Sequence, residues 1–107
     1  MGLFDMFRRE DINEGVAICA AVAEAVLLDV REQDEYAAGH IPGAVNVPLS
    51  QFAQRVHTAA PRKDAPVYVY CLAGSRSVRA AKQLRAMGYT AVHDLGGVNG
   101  YKGELVK

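Results

Sequence analysis

The sequence predicts an α/β fold, a mostly parallel central sheet of about five strands flanked by helices on both faces. Three observations predict it. Short β-branched runs alternate with helical stretches, the pattern of a parallel sheet with crossover helices. The run Ala25-Val26-Leu27-Leu28-Asp29-Val30 is almost continuously apolar, as a strand covered on both faces must be. Finally, no repeat, low-complexity run or Pro/Gly/Ser linker divides the 107 residues, a length typical of one domain. The expected division is an N-terminal apolar segment over residues 1–10 and a single domain over 11–107.

Taken in order, the elements begin with a short edge strand at Asp11-Ile12. A helix over roughly Glu14 to Ala23 follows, with Asn13 as its cap and Glu14 at its positive end. After the strand at 25–30, a short helix covers Gln33 to Ala38 and stops at Gly39. Ala44-Val45-Asn46-Val47 reads as a second strand between Pro42-Gly43 and Pro48. Ser50 is placed to cap a helix running to about Thr58. Val67-Tyr68-Val69-Tyr70 is a third strand, ending directly at Cys71. The next helix starts at Ser75 or just after it, carries Val78, Ala81 and Leu84 on one face, and stops at Gly88. Thr90 to Leu95 alternates and ends at Gly96-Gly97, giving a fourth strand.

Composition narrows the function classes. Half the residues are hydrophobic, enough for one modest core without metal or disulfide staples. Twelve basic and twelve acidic residues cancel, so nothing global points to nucleic acid or an anionic membrane. Cys19 and Cys71 fit no zinc spacing, and nothing marks a stapled secreted domain. In Met1-Gly2-Leu3-Phe4-Asp5-Met6-Phe7-Arg8-Arg9 the charges follow the apolar residues, the wrong order for a secretory signal, and Met6 stands where myristoylation wants Ser or Thr. The stretch Val16 to Leu28 is broken by Glu24 and too short to span a bilayer. The expectation is a cytoplasmic protein with no transmembrane segment, in which Leu3, Phe4, Met6 and Phe7 close over the domain's own core.

Chemistry concentrates after the third strand. Ligands of open α/β sheets bind beyond the carboxyl ends of strands, and Cys71 stands at such an end. The helix that follows points free N–H groups and its positive dipole end back at the loop. Small residues at Ala73 and Gly74 let the backbone amides converge into an anion-binding nest. Helix N-termini and nearby cations favour the thiolate form of cysteine, and Arg76 adds a permanent charge with a fork suited to an oxyanion. The site is therefore expected to hold a nucleophilic thiolate and attract a small anion without a histidine base. Cys19, between Ile18 and Ala20-Ala21, reads as a small buried hydrophobe.

Several blocks then resemble one family. Asp29-Val30-Arg31-Glu32, Glu35-Tyr36, Gly39-His40-Ile41-Pro42-Gly43-Ala44 and Asn46-Val47-Pro48 resemble the signature segment of the rhodanese family. Cys71-Leu72-Ala73-Gly74-Ser75-Arg76-Ser77 is similar to its C-x-x-G-x-R-S active-site loop, and Leu95-Gly96-Gly97 to the glycine pair after its later strand. The blocks keep the family's order and spacing from about Asp11 onward. The resemblance implies a rhodanese-like fold and a sulfurtransferase of the thiosulfate:cyanide type. In it, Cys71 takes sulfane sulfur from a small anionic donor such as thiosulfate, expelling sulfite. The persulfide is held by N–H groups from Leu72 to Ser77. Cyanide, a thiol or a protein cysteine then accepts the sulfur. This is covalent catalysis with preorganised amides, needing no cofactor and no metal.

Other motif residues carry less. Asp29 and Arg31 end a strand on the edge that holds Cys71, so they are possible supports of the site, but pairing that fixes the fold is preferred. His40 in its Gly-His-Ile-Pro-Gly turn is read as structural, and His57 and His93 receive no role. Gly96-Gly97 lacks the G-x-G-x-x-G pattern and reads as a tight turn near the active edge. Where the family often carries a tryptophan, this chain has Tyr101, another amphipathic aromatic, which reads as a packing variation and leaves acceptor specificity open. Two alternatives stay open: a non-turnover persulfide carrier or sulfur-sensing module, and a phosphatase or arsenate reductase. The latter chemistries use a cysteine–arginine loop one residue longer than the one from Cys71 to Arg76.

Overall fold

Four of the expected runs become the strands β1 (Val26–Asp29), β2 (Val45–Asn46), β3 (Val67–Cys71) and β4 (Val92–Gly97). They form one fully parallel sheet in the order β2-β1-β3-β4. The computed structural model describes residues 10–107, so the expectation for Leu3, Phe4, Met6 and Phe7 lies outside the described residues. Among the described residues the sheet has four strands, one fewer than expected. Asp11-Ile12 is not an edge strand: Asp11 caps α1 (Ile12–Ala21), its carboxylate accepting the N–H groups of Asn13 at 2.8 Å and Glu14 at 3.2 Å. Two otherwise orphaned helix donors are satisfied this way, which outweighs extending the sheet by one bridge. Asn13, expected as the cap, sits inside the first turn. Its side chain instead donates to the Gly100 carbonyl and accepts from the Lys102 N–H, tying down the C-terminal segment.

The remaining helices are α2 (Gln33–Ala38), α3 (Phe52–Ala59) and α4 (Ser75–Ala86). α2 opens with a reciprocal capping box between Glu32 and Glu35 and ends at Gly39, as expected. α3 starts one residue later than expected, behind a 3-10 turn at Leu49–Gln51. Ser50 does not cap it, because its hydroxyl hydrogen-bonds the Glu32 carboxylate at 3.0 Å. Of the face expected for α4, Ala81 and Leu84 are buried and Val78 is half-buried.

Alternation along β3 explains why its whole run is apolar. Val67, Val69 and Cys71 pack with Leu28, Val30 and residues of α3 and α4, including Phe52, Val56, Ala80, Ala81 and Leu84. Tyr68 and Tyr70 face the other way, with Leu27, Ile41 and the α1 residues Ile12 and Cys19. Helices therefore cover both faces, and the strand has no polar side to show. Pairing of β3 with β4 is regular from Val67↔Val92 to Val69↔Asp94. It then shifts, so that Cys71 lies opposite Gly97. That irregularity stands at the carboxyl edge of the sheet, beside the reactive loop.

Candidate active site

Cys71 is the last residue of β3 and Ser75 the first of α4, so the turn between them comprises only Leu72, Ala73 and Gly74. Gly74 takes φ 111°, ψ −10°, a left-handed conformation that a side chain would strain. It turns the chain back over the sulfur. Cys71 Sγ accepts the Gly74 N–H at 3.0 Å and the Ser77 N–H at 3.3 Å. Two of the orphan donors at the start of α4 thus serve the thiol. The N–H groups of Ser75 and Arg76 have no protein acceptor among the described residues. Ser77 is buried, and its hydroxyl donates to the Gly74 carbonyl at 3.1 Å, bracing the turn from inside.

The loop is also seated from below. The Leu72 carbonyl accepts the Asn99 N–H at 3.3 Å. Gly97 lies so close that a Cβ there would stand 2.4 Å from the Leu72 oxygen and 2.7 Å from the Ala73 Cα. The glycine pair expected as a tight turn therefore also permits close approach of two backbones. Leu72, Ala73 and Ser75 are exposed, whereas Cys71 has no exposed surface.

Arg76 is half-buried at the rim, with the end of its fork already occupied. Nη1 and Nη2 contact the two oxygens of Glu35 at 2.6 and 3.0 Å. Glu35 is the third residue of α2, and its Oε1 also accepts the Glu32 N–H at 3.0 Å. The Arg76 guanidinium, with a smaller contribution from the Glu32 amide against the opposing effect of burial, lowers the Glu35 carboxyl to about 2. This partnership is absent from the sequence reading. The two residues are 41 positions apart, and the only local signal at Glu35 is its capping box with Glu32.

Asp29 and Arg31 form a buried pair, with Arg31 Nη2 2.7 Å from Asp29 Oδ2 and Nε 3.0 Å from Oδ1. Asp29 also accepts the Arg31 N–H at 2.9 Å, and Arg31 Nη2 donates to the Gly39 carbonyl at 2.7 Å. Their charges close on each other and on local backbone, the fold-fixing arrangement. His40 stacks on Tyr36 with its Nδ1 2.9 Å from the Tyr36 carbonyl. His93 stacks on Tyr68 and pairs with Glu10. Tyr101 packs at the edge of the α1-side core, over Gly103. Cys19 lies in that same core, across the sheet from Cys71, and both thiols are free. Burial pushes the Cys19 thiol up, which keeps it protonated and unreactive.

A parallel sheet whose central strand ends at a cysteine, with two N–H groups from the start of the next helix on its sulfur, defines an α/β domain with a thiol at a strand-to-helix turn. Residues 14–104 match the rhodanese-like domain family, and the chain belongs to that family. It is 46% identical over 87 residues to the uncharacterized protein YqhL of Bacillus subtilis, covering 80% of this chain and 68% of that protein. It is 44% identical over 71 residues to the thiosulfate sulfurtransferase PspE of Escherichia coli, covering 66% of this chain and 68% of the relative. Among solved structures, a rhodanese with anions from Escherichia coli superposes with a TM-score of 0.73 at 40% identity, over 78% of this chain and 98% of that one. No helix among the described residues is long and apolar enough to cross a membrane.

Proposed function

We propose that this protein is a sulfurtransferase that carries sulfane sulfur as a persulfide on Cys71. The observation that carries the reading is the sulfur's position at the end of β3, accepting two N–H groups from the start of α4. Donors already aimed at one sulfur stabilise negative charge on it without reorganising. Similarity to a relative named a thiosulfate sulfurtransferase supports thiosulfate as the donor class. The Cys71 thiolate attacks the outer sulfur of thiosulfate, an S–S bond forms, and the sulfur–sulfite bond breaks with its electron pair leaving on sulfite. The terminal persulfide sulfur carries the charge, and the amides of Leu72 to Ser77 hold it. Cyanide, a low-molecular-weight thiol or a protein cysteine then attacks that sulfur and releases the Cys71 thiolate, a ping-pong cycle. In this reading no separate cofactor enters, and the reaction is assigned to the cytoplasm.

Cys71 has no exposed surface and is enclosed by its own loop and the start of α4. That burial favours a second reading, a carrier that loads once and releases sulfur only to a particular partner. Intact-mass measurement after thiosulfate treatment tests the shared step. The wild type and Cys19→Ser should gain one sulfur, and Cys71→Ser should gain none. A gain that persists in Cys71→Ser overturns the assignment. Turnover of thiosulfate with cyanide then separates the enzyme from the carrier, which loads stoichiometrically and does not cycle.

A further inference from the structure

The sulfur-transfer reading leaves one side chain of the site without a role. Glu35 stands on α2, a helix that contributes nothing to the Cys71 loop in sequence, yet its carboxylate grips the end of the Arg76 guanidinium with both oxygens. The grip is itself anchored. Glu35 Oε1 accepts the Glu32 N–H, and Glu32 in turn accepts the Ser50 hydroxyl. Both partners are about a quarter exposed, so the pair lies at the rim rather than in bulk solvent.

The geometry points to Glu35 as a positioning residue that holds Arg76 end-on, presenting the Nε side of its guanidinium to the anionic oxygens of a sulfur donor entering at Cys71. This rests on the sulfur-transfer reading and deepens it, since it names the group that selects anionic donors. Nη1 and Nη2 are engaged by Glu35, whereas Nε has no acceptor among the described residues. Guanidinium has donors on more than one edge, so one carboxylate at its end leaves a side-on fork free. A free arginine samples many rotamers, and an incoming anion must freeze them; a clamped one is already ordered. The carboxylate offsets part of the positive field. Coulomb attraction falls with distance, however, and an anion on the free edge is nearer to Arg76 than to Glu35. The cation also lies within electrostatic reach of the sulfur, since Cys71 contributes to raising Arg76 further above its ordinary value.

Glu35→Gln is the informative change, because glutamine at this position still completes a capping box while losing the charge and the matched fork. In thiosulfate turnover its KM should rise about tenfold with kcat within about threefold. A second readout does not need sulfur transfer: the rate of Cys71 alkylation by anionic iodoacetate relative to neutral iodoacetamide. That ratio should fall about fivefold in Glu35→Gln and equally in Arg76→Ala, with no further fall in the double variant. Glu32→Gln, which removes a neighbouring charge but not the fork, should keep the wild-type ratio. A ratio that rises, or a lower KM, makes Glu35 a counter-charge instead and overturns the proposal. So does a loss of melting temperature with the ratio unchanged, the mark of a purely structural tie. Should Glu35→Gln fail to fold, Arg76→Lys keeps the charge without the fork, and an unaltered ratio there is equally fatal. If the wild type takes no sulfur from thiosulfate, the functional reading falls while the alkylation ratio still decides the role of Glu35.

Discussion

Gly97 has no side chain, and the shape of the Cys71 loop depends on that. A methyl there would meet the Leu72 oxygen and the Ala73 Cα, both backbone atoms with no rotamer to give way. Gly97→Ala should therefore lower stability by about 1–3 kcal/mol through overpacking. It should also slow sulfur loading by roughly 10–100-fold, since the loop must lift and carry its amides off the sulfur. Denaturant unfolding and a mass time course measure the two effects. Loading at the wild-type rate would show that the loop does not need this seat. Gly74 is the complementary case: its requirement lies in its own φ of 111°, which places its N–H on Sγ. Sequence singled out Gly74 through the small residues beside Cys71. It assigned Gly97 to a turn, because which backbone approaches a glycine is a long-range fact.

At the scale of elements, α2 and α4 are joined by the Glu35–Arg76 pair, and that junction has a pH signature. Arg76, first among the causes, lowers Glu35 from an ordinary 4.5 to about 2. A carboxyl depressed by folding stabilises the native state fully above its unfolded value. The contribution fades as pH falls from about 4.5 through about 2. Glu35→Gln should accordingly be less stable than the wild type at pH 7, with the gap narrowing as pH falls through about 4 toward 2. Urea unfolding at several pH values reads it, and a gap that widens toward acid contradicts this origin. The helices themselves were legible where caps and stops are local, as for α2 with Gly39 and α4 with Gly88. The start of α1 differs from the expectation because Asp11, expected in an edge strand, caps the helix instead. Asn13 is engaged by Gly100 and Lys102, contacts that no local pattern announces.

For the whole molecule, the Asp29–Arg31 pair matters more than any exposed ion pair. It sits at the junction of β1, β2 and the turn at Gly39, with Asp29 fully buried. Asn46 on β2 adds to the same knot by donating to the carbonyls of Asp29 and Arg31. Arg31→Met leaves a buried carboxylate without its cation, so stability should fall by about 3–5 kcal/mol. For a domain whose total is about 5–15 kcal/mol, that loss is large. Thermal unfolding should show it plainly, and Asp29→Asn added to Arg31→Met should recover part of it. No recovery would mean that the salt bridge is not the origin of the loss.

The sequence by itself determined the α/β class, the parallel strands, the position of Cys71 at a strand end before a helix, and the family resemblance. Each rests on local order: apolar runs, caps, stops and the spacing of a short loop are written in consecutive residues. Only the tertiary structure decided which partners those residues meet. It set Gly97 beneath the loop and paired Arg76 with a glutamate 41 positions away. The physical reason is that charge pairing and close packing depend on distance in space, and chain folding brings together groups whose separation in sequence carries no record of it.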